Sequence, residues 1–306
     1  MSWFKDTIFG QSYGVSGEEL PRDTLDQLVV DVKATFPNYG QVMGKVRKAL
    51  EHWVEFINPY HRIRSSVEYL FSEIEALDIE EQTAQLGGVG EYKSPEQWSK
   101  EWGRMAEIIT KATGLCFGVR SMLPVMAEAF VNLLMYLLMK PALKRDDRLR
   151  ENLIRQPIDV RIKSLSHNCI GFQSDIDYKH DSCRRYHSLV NERNDLLHGN
   201  VVIEKLKFNE LYFNGHVPVF DSYASMWQRA FGVAKKSVGL ELLHTERQVV
   251  EDFIEYVIFC LEEKKQDQVC VFCARRDLGM CLDDGHLAIL FSGQLVDMVL
   301  GPKVPK

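Results

Sequence analysis

Arg193, Asn194 and His198 lie close together in the run Arg184-Arg-Tyr-His-Ser-Leu-Val-Asn-Glu-Arg193-Asn-Asp-Leu-Leu-His198-Gly199-Asn200. A guanidinium holds anionic oxygens, an amide orients a neighbour, and an imidazole moves protons near neutral pH. Taken as a helix at about 100° per residue, the run gathers Tyr186, Leu189, Val190, Leu196 and Leu197 into an apolar stripe about 120° wide, with Arg193 at its centre. A guanidinium on a core-facing line is costly unless an anion, a carboxylate or a wet cleft meets it. If the carboxylate is internal, Glu128 on the apolar run 123–139 is the candidate; Arg193 would then be structural and His198 would only satisfy the end of its own helix.

Gly199 suits the left-handed position just past a helix, so the helix is expected to stop at His198. On an ideal helix His198 lies about 140° around from Arg193, while Asn194, one turn before His198, bridges the gap. A second copy of the helix across a two-fold axis would bring two arginines and two histidines around one groove, so a homodimer is expected.

The elements that position this run are mostly helical by periodicity. Val42, Val46, Leu50, Val54 and Ile57 form one helical stripe ended by Asn58-Pro59, and Ile63, Val67, Leu70, Phe71, Ile74 and Leu77 form the next. Ser94-Pro95-Glu96-Gln97 reads as an N-cap, a proline at the first helical position and a glutamine at the third, opening a helix with Trp98, Trp102, Met105 and Ile109. A break is expected over Gly114–Gly118, then a helix over 120–139, apolar on all sides and central to the fold. Charged segments over 144–165 and 179–198 flank it. Asn214-Gly215 predicts a hairpin, and 241–263 predicts a long helix with Val249, Phe253 and Val257 on one side. Alternation at Val269 and Val271, and again at Leu287, Ile289 and Phe291, predicts a short β appendage. The expected fold is thus mainly α, with residues 1–112 a helical N-terminal region without an assigned role, 113–266 a helical bundle, and 267–306 a β-containing appendage.

The run around Arg193 resembles the arginine, polar residue, spacer, histidine signature of the HEPN family, and the helices from about 115 to 265 resemble that family's bundle. Many HEPN proteins are dimeric, metal-independent endoribonucleases of toxin–antitoxin and antiviral systems. The resemblance implies that His198 moves the proton of the ribose 2′-hydroxyl or of the leaving 5′-oxygen, Arg193 holds the scissile phosphate, and Asn194 orients one of them. It implies 2′,3′-cyclic phosphate and 5′-hydroxyl ends, RNA as partner, and an antitoxin or regulatory protein as a further one. Some relatives carry, two residues after the histidine, a tyrosine that an antitoxin modifies; this chain has Asn200 there. The alternative from another class is a non-catalytic HEPN-like module that binds a nucleotide or a protein.

With 37 Lys plus Arg against 43 Asp plus Glu, the formal net charge is −6, so a polyanion needs a local basic patch. Residues 140–198 carry a small positive excess, and Arg184, Arg185 and His187 lead up to the motif as candidate RNA contacts. No cofactor is expected. Cys270, Cys273, Cys281 and His286 number enough for zinc but lack a second close pair, so buried free thiols are the expectation. Asp175, Asp177 and Asp181 sit in a polar stretch that stays solvated without a divalent ion, and Gly40–Lys45 lacks the spacing of a P-loop. Seven cysteines, no apparent secretory signal and an apolar run interrupted by Pro124, Glu128 and Asn132 point to a cytoplasmic protein without a membrane span.

Overall fold

The computed structural model describes residues 22–85, 92, 94–207, 212–219, 226–283 and 285–291. The chain is mainly helical with a small three-stranded sheet. It divides into two compact units, residues 1–54 with 281–285 and residues 55–280 with 286–306.

In the smaller unit, helix α1 spans Arg22–Ala49. The expected stripe from Val42 to Ile57 does not continue as a helix, since Val54 and Ile57 lie on strand β1, Trp53–Ile57. The reason is local composition: Trp-Val-Glu-Phe-Ile is β-branched and aromatic, which suits a pleated surface better than a helical turn.

The larger unit is built on α2 (Pro59–Glu75), α3 (Ile79–Ala84) and the 44-residue α4 (Pro95–Leu138). Asn58 caps α2 by accepting from the Tyr60 and His61 amides, and its own amide group donates to the Phe272 and Arg275 carbonyls, which explains a fully buried asparagine. Ser94 caps α4 as its sequence predicts, accepting from the Gln97 amide at 3.3 Å. The break expected at Gly114–Gly118 does not occur. The helix runs through both glycines; a Cβ at Gly118 would make only ordinary contact with Leu70 of α2, and one at Gly114 would meet nothing within 4 Å.

Beyond α4 come α5 (Pro141–Arg145), α6 (Asp147–Arg155), α7 (Ile158–Lys163) and α8 (Leu165–Asn168), then α9 (Asp181–His198) and α10 (Ile203–Leu206). Strands β2 (Tyr212–Asn214) and β3 (Val217–Val219) pair antiparallel around Gly215-His216, with Gly215 at a φ of 63°. Helices α11 (Met226–Ser237), α12 (Leu243–Phe259) and α13 (Glu263–Cys273) follow, and β4 (Asp277–Cys281) and β5 (Leu287–Ala288) complete the sheet in the order β1-β4-β5. Val269 and Val271 therefore belong to a helix, not to the expected strand: Val269 is buried and Val271 exposed.

Two apolar clusters share α4. The larger joins its second half, from Cys116 to Met139, to α2, α9, α12 and α13; the smaller joins Met105, Ile109 and Ala112 to Ile79 and Phe231. The apolar stretch of α4 is thus a core helix, as its all-round hydrophobicity implies. The boundary expected between residues 112 and 113 falls inside this unbroken helix.

Candidate functional site

Helix α9 packs through Cys183, Tyr186, Leu189 and Val190, a spacing of three and four residues that keeps one face on the core. Tyr186 anchors it: its ring stacks on Phe253 of α12 at 4.3 Å, and its hydroxyl donates to the Pro124 carbonyl at 3.1 Å. The buried stripe ends there. Residues 192–196 are half-buried and Leu197 is 45% exposed, so the fully buried stripe is shorter than expected.

Arg193 occupies the first turn past Val190. It is half-buried, its Nε is shielded from solvent, and among the described residues no hydrogen bond or ion pair satisfies that nitrogen. The carboxylate expected as its structural partner is engaged elsewhere: Glu128 pairs with Arg161 of α7, which also donates to Asn132 Oδ1 and, through Nε, to the Gln156 carbonyl at 2.8 Å. Arg161 is 5% exposed, so it is the inward arginine with a fully built set of partners. Sequence inspection overlooked it, although Ile158, Arg161, Ile162 and Leu165 place it on an apolar line much as Arg193 is placed. A second internal pair, Arg120 with Glu246, reaches α9 as well. Arg120 Nε lies 2.8 Å from the Glu246 carboxylate, and Nη2 lies 3.7 Å from Glu192, the residue before Arg193.

The helix stops where expected. His198 is its last residue, and Gly199 follows with φ 63° and ψ 34°, its amide bonded to the Asp195 carbonyl. Asp195, within the motif, is already engaged: Asn200 and Lys205 both donate to its side chain and hold its carboxyl below the ordinary aspartate range. His198 is exposed and Asn194 half-buried, and among the described residues no side-chain hydrogen bond joins either to the other or to Arg193. One chain therefore carries the three groups at one helix end without a described hydrogen bond between them.

The candidate RNA contacts at the start of α9 are differently placed. Arg184 pairs with Asp181 at 3.2 Å, and Arg185 with Asp252 at 3.0 Å. The His187 Nδ1 lies 2.9 Å from the Tyr178 hydroxyl, whose own ionisation burial pushes up to about 12. Each of the three thus has one or two partners inside the protein, while Arg184 and Arg185 stay open to solvent. Asp252 and Tyr178 are the partners that the motif's neighbourhood did not reveal.

Among the described residues no group of three or more His, Cys, Asp or Glu side chains is placed to hold a metal ion, and all seven cysteines are free. Asp177 accepts from the Lys179 amide, and Asp181 serves the arginines beside it. Clefts of about 600 Å³, lined by His61, Ser65 and Arg276 among others, and of about 390 Å³, lined by Tyr60, Arg64 and Glu251 among others, include none of the motif residues. Comparison of the chain with protein-family models, with curated proteins and with solved structures finds no match in any of the three.

Proposed function

We propose that the chain is a HEPN-type endoribonuclease with a HEPN-like bundle formed by the second half of α4 with α7, α9 and α12, working as a cytoplasmic homodimer in a toxin or antiviral role. The observation that carries this reading is the state of Arg193: a half-buried guanidinium whose Nε meets no partner among the described residues, five residues before a solvent-facing imidazole at a helix end. A phosphodiester is the anion that makes sense of both. Arg193 would hold the non-bridging oxygens and oppose the charge that grows on them in the transition state. The ribose 2′-oxygen would bond to phosphorus as the bond to the 5′-oxygen breaks, with His198 taking the proton from the former or giving one to the latter. Asn194 would orient the phosphate or the imidazole. The products would be a 2′,3′-cyclic phosphate and a 5′-hydroxyl, with DNA spared for want of the nucleophile. A second protomer supplies what one helix end leaves open, and exposed Leu197, Val201 and Ile203 beside the motif offer apolar surface for that contact.

Incubation of the purified protein with total RNA in EDTA tests the reading. Wild type should cut; His198→Ala and Arg193→Ala should each slow cleavage by about 10²–10⁴-fold without lowering the melting temperature by more than a few degrees. Intact RNA with wild type would leave at most a non-catalytic binding module, and variants that cut as fast as wild type would remove Arg193 and His198 from the chemistry.

A further inference from the structure

The positive excess of residues 140–198 is not spread evenly. Residues 156–198 hold six Lys plus Arg against six Asp plus Glu, whereas residues 140–155, which comprise α5 and α6, hold six against three. Each of those three acids has an internal task. Asp146 caps α6 by accepting from the Leu149 amide at 3.0 Å, Asp147 pairs with Arg150 at 2.7 Å, and Glu151 pairs with Arg155 at 3.5 Å. Lys144 lies 5.3 Å above the Tyr136 ring. That leaves Lys140, Arg145 and Arg148 exposed, with no ion pair to any described residue.

Helix α6 has a second unusual property: none of its nine residues is buried, and Leu149 and Ile154 are exposed on it. Its far end leads through Gln156 to Arg161, which is fixed to Glu128 and Asn132 of α4, while α9 meets the same helix at Pro124 and, through Glu192, at Arg120. The Arg161 contacts that follow α6 and the Arg120 contact with Glu192 of α9 are thus eight to twelve residues apart along α4, about 12–18 Å at 1.5 Å per residue.

We infer that the α5–α6 ledge, and not the start of α9, is the surface that takes the RNA backbone, with Lys140, Arg145 and Arg148 on phosphates; the inference rests on the endoribonuclease reading for the identity of the polyanion. Charge complementarity favours a polyphosphate chain, because the three free cations stand in a protein that is otherwise acidic.

The test uses the full chain carrying His198→Ala, so that RNA survives, and reads fluorescence anisotropy of a labelled single-stranded RNA in EDTA over a salt series. Adding Lys140→Gln, Arg145→Gln and Arg148→Gln should raise Kd at least tenfold and reduce the salt slope by about 2, at about 0.7 per lost phosphate contact. Adding Arg184→Gln and Arg185→Gln instead should change Kd less than threefold. Because the three ledge residues are exposed, circular dichroism should show the fold intact. Equal RNA affinity for the ledge variant and its parent, no RNA binding at all, or loss only of binding to phosphatidylserine vesicles overturns the inference. The two readings fail separately. RNA held through the ledge but never cut by wild type sinks the nuclease alone, whereas cutting that the ledge substitutions leave unaltered in KM sinks the ledge alone.

Discussion

At the scale of single residues, Arg161 and Arg193 pose the same problem and receive different answers. Both fall on apolar lines of their helices, and a guanidinium withdrawn from water must be compensated. Arg161 is compensated inside the protein by Glu128, Asn132 and the Gln156 carbonyl, whereas Arg193 Nε has no partner among the described residues. Glu128→Ala should therefore cost about 3 kcal/mol in urea denaturation, since it strands a guanidinium that is 5% exposed. Replacing Arg161 and Glu128 together by Met and Leu should recover most of that loss, whereas a cost under 0.5 kcal/mol for the single change would show the pair to be idle. Arg193 was legible in the sequence because its neighbours share its helix. The identity of Glu128's partner was not, because 33 residues separate Arg161 from Glu128 and no periodicity links them. The same holds for Arg185 with Asp252, 67 residues apart.

At the scale of elements, what could be read beforehand were ends, and what could not were continuities. The stop of α9 at Gly199 and the start of α4 at Ser94 follow from chemistry within a few residues. Gly199→Ala should cost about 1 kcal/mol, because its left-handed backbone disfavours a Cβ while nothing lies within 4 Å to clash with one. Gly199→Asn should cost less, and thermal melts of the two variants check the order. The passage of α4 through Gly114 and Gly118 was hidden because packing against α2 outweighs a helix propensity loss of about 1 kcal/mol per glycine. Strand β1 was misread as helix because Val54 and Ile57 fit a three-residue spacing as well as they fit a strand. The hairpin was legible from Asn214-Gly215, though the turn itself is Gly215-His216, one residue later.

At the scale of the whole molecule, the thiols report on how the interior closes. Burial pushes Cys116, Cys169, Cys183 and Cys273 up to about 12, while Cys270 is exposed. Alkylation at pH 8 should mark Cys270 first, and all seven cysteines only in denaturant; mass spectrometry of the digested protein gives the order. The four raised values also set a pH trend. An unfolded thiol ionises near its ordinary value of 9.0 and a buried one only near 12, so this contribution is complete below pH 9 and lost as the pH climbs toward 12. The urea midpoint should fall over that interval, and a midpoint that rises there would contradict the burial of these side chains.

Helix α4 contributes to both apolar clusters, with Met105 and Ile109 in one and Phe130 and Leu134 in the other. At 44 residues it extends about 66 Å, longer than either cluster alone requires. Its hydrogen-bond ladder couples their fates: fraying that enters at Pro95 removes the wall of the smaller cluster and advances directly toward the larger. The two interiors should therefore melt in one transition, and Trp102→Ala should lower the single melting temperature read by calorimetry rather than split it.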